Sequence, residues 1–251
     1  MKSRESAAGP AVEELLPERP TLAALREAAA GCRACELWRL GTRTVFGEGA
    51  AHAELMLVGE QPGDREDVEG HPFVGPAGGV LDRALRDAAL DREAIYVTNA
   101  VKHFRWVQRG KRRIHQKPDA GHVEACQPWL RAEVAAVRPR LLVCLGATAV
   151  QSALGGEVRV LRDRGRTFPS PLGVTAMPTV HPSSILRAPD EVGRDRAYRD
   201  FVTDLRAAAA WLTQRPLPPR AGGPTGGFGA GPRAPRPPSP DGSRGTTGRP
   251  R

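Results

Sequence analysis

Short apolar runs alternate along the chain with longer stretches in which hydrophobic residues recur at helical spacing. The short runs are typical of buried strands, whereas the longer stretches have the period of amphipathic helices. In chain order, the predicted elements are a strand at Leu55–Val58, a helix at Val80–Leu90, a strand at Ile95–Thr98, a helix at Val123–Val137, a strand at Leu141–Leu145, a helix at Ala147–Leu154, a strand at Val174–Val180 and a helix at Tyr198–Leu212. This alternation predicts an α/β fold, a three-layer sandwich whose mostly parallel central sheet is flanked by helices.

The two ends of the chain lack this pattern. Residues 216–251 contain 10 Pro and 9 Gly without apolar periodicity, so nothing there offsets the entropy of ordering the backbone. We expect a flexible N-terminal tail over residues 1–20, a folded domain over residues 21–215 and a disordered tail over residues 216–251. The C-terminal tail carries six Arg and one Asp, so it holds much of the formal net charge of +9.

Composition also narrows where the protein works. No apolar stretch reaches the roughly 18 residues that a membrane span needs, and no apolar segment follows the initial Met-Lys as it would in a signal peptide. Four Cys in 251 residues do not resemble a disulfide framework, and in a reducing compartment such residues more often bind metal or do redox chemistry. We expect a cytoplasmic monomer that contacts no membrane, and the sequence identifies no protein partner.

Polar residues follow three predicted strands, at the edge of the sheet where α/β proteins bind ligands. Gly59–Asp64 follows the first strand as a tight turn that presents the carboxylate of Glu60. Asn99 ends the second strand, and its amide offers the donor and acceptor that reading a pyrimidine edge requires. His181 follows a later strand. Each could be an ordinary loop residue, but their joint position favours a shared site.

An aromatic residue lies close to the first of these loops. Phe73 stands among turn-forming residues in His71–Gly78, just before a helix that Pro76 can start. It is either a core residue or a ring on which a base stacks.

Together these motifs closely resemble the uracil-DNA glycosylase superfamily, and specifically its iron–sulfur branch. The matching stretches are Gly59–Gly63, Pro72–Gly78, Thr98–Lys102 and His181–Arg187, within a likeness that runs from about Thr21 to Trp211. The resemblance implies an enzyme that excises uracil from DNA by cleaving the N-glycosidic bond.

The resemblance also implies roles for single residues. Phe73 would stack on a flipped-out uracil, Asn99 would bond its edge, and His181 would stabilise the charge on the departing base. Arg187 would serve a closing loop or a phosphate. The remaining substrate and DNA contacts that we expect are Gly59, Asp64, Ser183 and Ser184.

The residue types suit this chemistry. Breaking the glycosidic bond builds positive charge on the sugar and negative charge on the base, so a carboxylate near the sugar and donors near the base stabilise the transition state. Glu60 is the natural carboxylate. Flipping a base costs a few kcal/mol, which stacking at about 1–3 kcal/mol per base largely offsets, so single-stranded DNA should be preferred or accepted.

Cysteine spacing predicts a metal site. Cys32 and Cys35 form a Cys-x-x-Cys pair after the helical segment Leu22–Ala30, a spacing that lets two thiolates bind one centre. Cys144 lies within a predicted central strand and is interpreted as a core residue. Iron–sulfur glycosylases carry a Cys four residues beyond the motif Asn, where this chain has His103. The resemblance therefore implies a structural [4Fe-4S] cluster on Cys32, Cys35, His103 and Cys126, although zinc suits the same ligands.

The segment Lys102–Lys117 contains seven Lys or Arg and no acid. Such a run is a solvated face or a phosphate-binding strip, and with Phe104 and Trp106 it suits a single-strand groove whose affinity falls with salt. Within it, Lys111-Arg112-Arg113-Ile114-His115 resembles the insertion of a cross-linking glycosylase type, UdgX. The presence of His103 in place of Cys also fits that type.

The UdgX resemblance implies that His115 attacks the sugar carbon after uracil leaves. Glu60 or Gln61 could orient the imidazole and accept its proton. Lys111, Arg112 and Arg113 would bind DNA. From residue type alone, His115 would instead contact a phosphate.

Two other functions remain open from the sequence. One is a conventional glycosylase that turns over, in which Glu60 positions a water. The other is a non-catalytic, metal-containing module that binds damaged single strands through Phe104, Trp106 and the Arg cluster.

Overall fold

A computed structural model of the protein describes residues 9–215, so the predicted C-terminal tail lies outside the described residues. The strands are β1 (Glu48–Gly49), β2 (Leu55–Gly59), β3 (Ile95–Asn99), β4 (Trp106–Arg109), β5 (Arg112–His115), β6 (Leu141–Leu145), β7 (Phe168–Pro169) and β8 (Thr175–Thr179). The helices are α1 (Val12–Leu15), α2 (Leu22–Ala30), α3 (Asp64–Glu69), α4 (Pro76–Asp87), α5 (Ala120–Val137), α6 (Ala147–Leu154), α7 (Val160–Asp163), α8 (Pro182–Leu186) and α9 (Glu191–Gln214). Short 3-10 turns add Glu36–Arg39 and Arg92–Ala94.

The main sheet has six strands in the order β1-β3-β2-β6-β8-β7. Its four central strands are parallel, and only the short edge strands β1 and β7 pair antiparallel. Every residue of β2, β3 and β6 is buried, as expected for parallel strands covered on both faces. The central strands begin and end within one residue of their predicted bounds.

Each face of the sheet is covered by its own group of helices. Leu55 and Leu57 of β2 pack in one core cluster with side chains from α4, α8 and α9. Met56 and Val58, which alternate with them, pack in a second cluster with α5 and α6. The alternation along one strand therefore builds both interfaces, and the predicted three-layer α/β class is confirmed.

The folded part begins earlier than residue 21. The Gly9 amide donates to the Arg33 carbonyl at 2.8 Å, and Val12 of α1 is buried in a third core cluster with Leu25 and Trp129. Residues 9–20 therefore differ from the predicted flexible tail, because the single buried Val12 gave no periodic signal; residues 1–8 of that tail lie outside the described residues. Helix α9 also begins well before the predicted Tyr198, since its first turns are mostly exposed and their two apolar residues, Val192 and Ala197, do not form a helical period.

The predicted convergence of loops follows from the register of the parallel strands. Gly59 pairs with Asn99 and Leu145 with Thr179, so the loops after all four central strands leave from one edge. The strands β4 and β5 form a separate hairpin from the basic segment, with Trp106 paired to His115 at its open end. No helix within residues 9–215 is long and apolar enough to cross a membrane.

Candidate active site

A cleft of about 1050 Å³ lies along the carboxyl edge of the sheet. It is bounded by the β2–α3 loop, the end of β3, the hairpin, the start of α6 and the loop from β8 into α8. The predicted site residues that line it are Glu60, Gln61, Asp64, Phe73, Asn99, His115, His181, Ser183, Ser184 and Arg187. The structure therefore brings most of the sequence-predicted site together.

Gly59 allows an aromatic ring and an amide to pack side by side at the floor of the cleft. A Cβ at this position would lie 2.3 Å from Oδ1 of Asn99 and 2.7 Å from Cζ of Phe73. Both neighbours are largely buried, with 3% of Asn99 and 8% of Phe73 exposed. The floor thus combines a flat apolar surface with a fixed amide, which suits a planar base that carries donors and acceptors on its edge.

The loop that carries Phe73 is under local strain. Phe73 adopts a φ of 60°, a region that bulky residues rarely occupy unless the surroundings hold them there. A Cβ on Gly78 would lie 1.7 Å from the Phe73 carbonyl oxygen, so α4 approaches this loop as closely as only glycine permits. Glu66 joins the loop to the β2 turn, since its carboxylate accepts from the Gly75 amide at 2.8 Å and the Gly63 amide at 3.1 Å.

His181 is held as a neutral imidazole. Its Nδ1 accepts the Ser183 amide at 3.1 Å and lies 2.8 Å from the Ser183 hydroxyl. Accepting the amide requires an unprotonated Nδ1, which leaves the ring proton on Nε2. The pKa of His181 is lowered to about 4, chiefly by burial; Glu60 opposes this shift, and Arg187 and His115 add to it. At neutral pH the ring is an uncharged hydrogen-bond donor at the cleft.

Glu60 uses its two carboxylate oxygens for different partners. Oε1 lies 3.3 Å from Nε2 of His115, and Oε2 accepts the Thr148 hydroxyl at 2.5 Å. Burial alone would raise the pKa of Glu60, but hydrogen bonds from His115 and Thr148 and the charges of His115 and His181 outweigh it, so the pKa is lowered. The carboxylate is therefore ionised beside an imidazole that is 49% exposed to the cleft.

Gln61 anchors the hairpin that carries His115. Its amide nitrogen donates to the Arg105 carbonyl at 3.2 Å and to the Gln116 carbonyl at 3.0 Å, while its oxygen accepts the Arg105 amide at 3.2 Å. These contacts engage both ends of the side chain with backbone. Gln61 therefore fixes the base of the hairpin, and Glu60 is the one of the two predicted proton acceptors whose carboxylate faces His115.

Arg113 fastens the other strand of the hairpin. Its guanidinium contacts Asp64 at 2.5 Å and the fully buried Asp67 at 2.6 Å. Each of these contacts is a charge-assisted hydrogen bond, which is stronger than one between neutral groups. Arg113 and Asp64 were expected to contact DNA and substrate, but here each holds the other. Lys111 and Arg112 remain exposed near the hairpin tip, where phosphates can approach.

Two residues of the basic segment do not lie where the sequence suggested. Phe104 is 1% exposed and Lys102 is fully buried, so neither belongs to a solvated strip or a stacking surface. Trp106 donates its Nε1 proton to the Leu40 carbonyl at 2.8 Å. The prediction that Phe104 belongs to the stacking surface of a non-catalytic module is thus wrong, because its ring is buried and cannot contact a base.

Comparison with known proteins assigns the fold to a family. The profile of the uracil DNA glycosylase superfamily matches residues 46–206. The chain belongs to this superfamily. It is 32% identical to a type-4 uracil-DNA glycosylase of Saccharolobus solfataricus over 74% of this chain and 84% of that protein. It is 31% identical to the type-4 enzyme of Sulfurisphaera tokodaii over 68% of this chain and 78% of that protein. For the type-4 enzyme of Thermotoga maritima the identity is 36% over 62% and 78%.

In this superfamily member, three of the predicted metal ligands share one buried cluster. Cys32, Cys35 and Cys126 all lie in the third core cluster, between α2 and α5. The Trp129 indole donates to Sγ of Cys32 at 3.3 Å, and the Lys102 amide lies 3.4 Å from Sγ of Cys126. Donors directed at sulfur suit thiolate ligands.

His103, the fourth predicted ligand, directly follows Lys102 in the segment after β3. Its Nε2 is 2.9 Å from the Thr44 hydroxyl, whereas its buried Nδ1 has no hydrogen-bond partner within the described residues. Across residues 9–215 no group of three or more His, Cys, Asp or Glu side chains has an arrangement that could hold a metal ion. The unpartnered nitrogen and the donors at sulfur are the features that fit a bound group. Cys144 is fully buried in the second core cluster, away from them.

Sequence reasoning missed several residues that shape the site. Thr148, Glu66 and Asp67 hold loops that line the cleft, and each is buried. The partners of Thr148 and Asp67 lie far away in sequence, so no local spacing marks them. Glu66 was accessible to sequence reasoning, since a Glu three residues after Gly63 is typical of a helix start.

Proposed function

We propose that this protein excises uracil from DNA and then joins His115 covalently to the sugar of the resulting abasic site. The single observation that carries the proposal is the 3.3 Å approach of His115 Nε2 to Glu60 Oε1. The cleft around this pair is also lined by Phe73, Asn99 and the neutral imidazole of His181. Single-stranded DNA is the preferred or accepted substrate, since no second strand has to be unpaired.

In the first step the glycosidic bond breaks and its electron pair leaves with the uracil. Phe73 stacks on the flipped base and Asn99 bonds its edge. The Nε2 proton of His181 is donated towards the oxygen on which negative charge develops, and a neutral donor fixed in advance is effective for this purpose. The ionised Glu60 stabilises the positive charge that develops on the sugar.

In the second step the sugar cation takes up a nucleophile. The ring nitrogen of His115 that does not face Glu60 uses its lone pair to form a bond with the anomeric carbon. The proton on the nitrogen that faces Glu60 passes to that carboxylate, so the ring stays uncharged. The product is a protein–DNA adduct, and one molecule of protein is used for each uracil.

The proposal is tested on denaturing gels with end-labelled, uracil-containing single-stranded DNA. We expect a heat-stable shifted band with the natural protein and none with His115→Ala. The matched control is His52→Ala, because His52 is exposed in the turn before β2, at the opposite edge of the sheet. Persistence of the band in His115→Ala would refute the nucleophile.

The same assay distinguishes the alternatives. If the natural protein releases uracil repeatedly without a band, it is a conventional glycosylase in which Glu60 positions water. If it binds single strands but releases no uracil, and changing Asn99 has no effect, it is a binding module. The exposed Lys111 and Arg112 should make binding of every substrate weaken with salt.

We further propose that Cys32, Cys35, His103 and Cys126 hold a [4Fe-4S] cluster. Zinc would need all four ligand atoms within about 2.0–2.3 Å of one point, whereas each iron of a cluster takes its own protein ligand. The cluster would supply a structural tie between α2, α5 and the segment after β3. A brown, iron-containing protein supports it, and a colourless, zinc-loaded protein from anaerobic purification would contradict it.

A further inference from the structure

The carboxylate of Glu60 has a hydrogen-bond partner that takes no part in the proposed reaction. The Thr148 hydroxyl lies 2.5 Å from Oε2, and Thr148 is only 3% exposed. An ionised carboxylate only accepts hydrogen bonds, so the hydroxyl must donate. Because one oxygen is occupied in this way, the other is the oxygen presented to His115.

The position of Thr148 is fixed by the start of α6. The helix follows β6 through Gly146, whose φ is 87°. A Cβ on Gly146 would lie 2.9 Å from Cβ of His181. The turn therefore packs directly on the loop of the residue that we propose to donate a hydrogen bond to the departing uracil. Thr148 is the second residue of α6, and its β-branched side chain has few rotamers. The hydroxyl is therefore presented to Glu60 by a rigid part of the fold.

We propose that Thr148 is a positioning residue that orients the Glu60 carboxylate so that its free oxygen accepts the proton of His115. This inference rests on the proposed covalent step. Thr148 itself touches neither the sugar nor the base. Without the hydroxyl, the carboxylate could rotate away from the imidazole, and a partly buried acid would lose a donor that stabilises its charged form.

The test compares two substitutions with opposite chemistry. Thr148→Val keeps the shape and removes the hydroxyl, whereas Thr148→Ser keeps the hydroxyl. In single-turnover experiments with uracil-containing single-stranded DNA, we expect Thr148→Val to form the adduct about tenfold more slowly, the loss typical of one hydrogen bond to a charged group. The DNA concentration for half-maximal rate should not change. Thr148→Ser should retain the natural rate.

The pH profile separates positioning from a purely structural role. The titratable groups that act on Glu60 are His115 on the hairpin and His181 before α8, and both remain in the variants. In Thr148→Val, the acid limb of adduct formation should move to higher pH, because the Glu60 carboxylate is protonated more easily. In Thr148→Ser the limb should stay in place.

Two further variants make the result decisive. Ser152→Ala removes another hydroxyl from α6. This hydroxyl lies away from the cleft and donates to Gln127 at 2.6 Å, so the variant should keep the natural rate. In the double variant Glu60→Gln/Thr148→Val, the rate should equal that of Glu60→Gln alone, since residues that act as one unit are not additive. Should valine prevent folding, Thr148→Ala replaces it in every arm.

The outcomes separate this inference from the proposed function. If the natural protein forms no adduct, the covalent function is wrong, and Thr148 has no such reaction to support. If the natural protein forms the adduct and folded Thr148→Val matches it in rate and pH profile, the positioning role is overturned. Additive losses in the double variant would overturn it as well.

Discussion

Two carboxylates of this protein each face a nitrogen base, and their surroundings differ sharply. Glu60 and His115 lie at the cleft with 23% and 49% of their side chains exposed. Glu133 and Lys102 lie behind β3, where their side chains are 0% and 1% exposed. In the first pair, one carboxylate oxygen and one ring are accessible to a substrate. The second pair, Glu133 and Lys102, is closed to solvent and is called the sealed pair below.

The sealed pair uses every polar atom for structure. Glu133 accepts from the Gly47 amide at 3.1 Å, the Tyr96 hydroxyl at 3.0 Å and the Thr98 hydroxyl at 2.9 Å, besides the Lys102 ammonium. Burial and the Glu133 charge raise the pKa of Tyr96, so it stays a neutral donor. A carboxylate with all its acceptor sites filled cannot take a proton from a substrate.

The sealed pair nevertheless lies directly behind the site. The Lys102 ammonium also donates to the Asn99 carbonyl at 2.7 Å, so it supports the backbone of the residue that we propose to read the base. The comparison teaches that similar pairs of charged groups serve different ends according to access. Free atoms at the cleft can do chemistry, and filled ones fix the geometry on which that chemistry depends.

The largest expected effect comes from breaking the sealed pair. Lys102→Met leaves Glu133 buried without its counter-charge, which typically costs about 3–5 kcal/mol of the free energy of unfolding. Denaturant titration followed by circular dichroism measures the loss. The double variant Lys102→Met/Glu133→Leu should recover part of it, because no buried charge is left unpaired. A loss below about 1 kcal/mol in the single variant would contradict the structural role.

The same test at the cleft should affect rate rather than stability. Glu60→Gln keeps the shape and removes the charge, and loss of a general base typically slows a reaction about 100-fold or more. Adduct formation in single turnover measures the rate, and denaturant titration should show a change in unfolding free energy below about 1 kcal/mol. Glu133→Gln is the matched control, expected to lower stability more than Glu60→Gln does. Equal stability losses in the two variants would remove the distinction between the pairs.

The sequence predicted the parts that depend on local pattern. Strand bounds followed from apolar runs, and the shared edge for Glu60, Asn99 and His181 followed from the direction of parallel strands. The match of motifs to a known family pointed to His115, and the structure places it beside Glu60. These are properties of short segments and of chain order.

The sequence could not predict which polar residues are held by other protein atoms instead of being available to a ligand. Lys102 was counted among seven cations of a solvated or phosphate-binding strip, yet it is buried, where it contacts Glu133 of α5, 31 residues away. Thr148 lies 88 residues from Glu60. Such partners are set by tertiary packing, and only coordinates show that Gln61 and Arg113 are held by other protein atoms.

A smaller effect is expected at the floor of the cleft, between the two pairs. In Gly59→Ala, the new Cβ meets Asn99 Oδ1 and Phe73 Cζ far inside contact distance, and overpacking of this kind costs about 1–3 kcal/mol. Because the base-binding residues must shift, uracil release should slow while the Glu60–His115 pair stays intact. Gly79→Ala is the control, as a Cβ there meets nothing within 4 Å. Normal release of uracil by Gly59→Ala would show that the floor is not the base pocket.

The smallest expected effect is a pH dependence of stability that arises at the cleft and not in the sealed pair. The pKa of His181 is about 4 in the fold and about 6.5 in the unfolded chain. Below pH 6.5 the unfolded state binds the proton first, so stability falls as pH falls towards 4. Denaturant titrations at pH 7 and pH 5 should differ by about 1–2 kcal/mol more in the natural protein than in His181→Asn. If the stability difference between pH 7 and pH 5 is the same in His181→Asn as in the natural protein, His181 is not held neutral. Its proposed donor role in uracil release would then lose its physical basis.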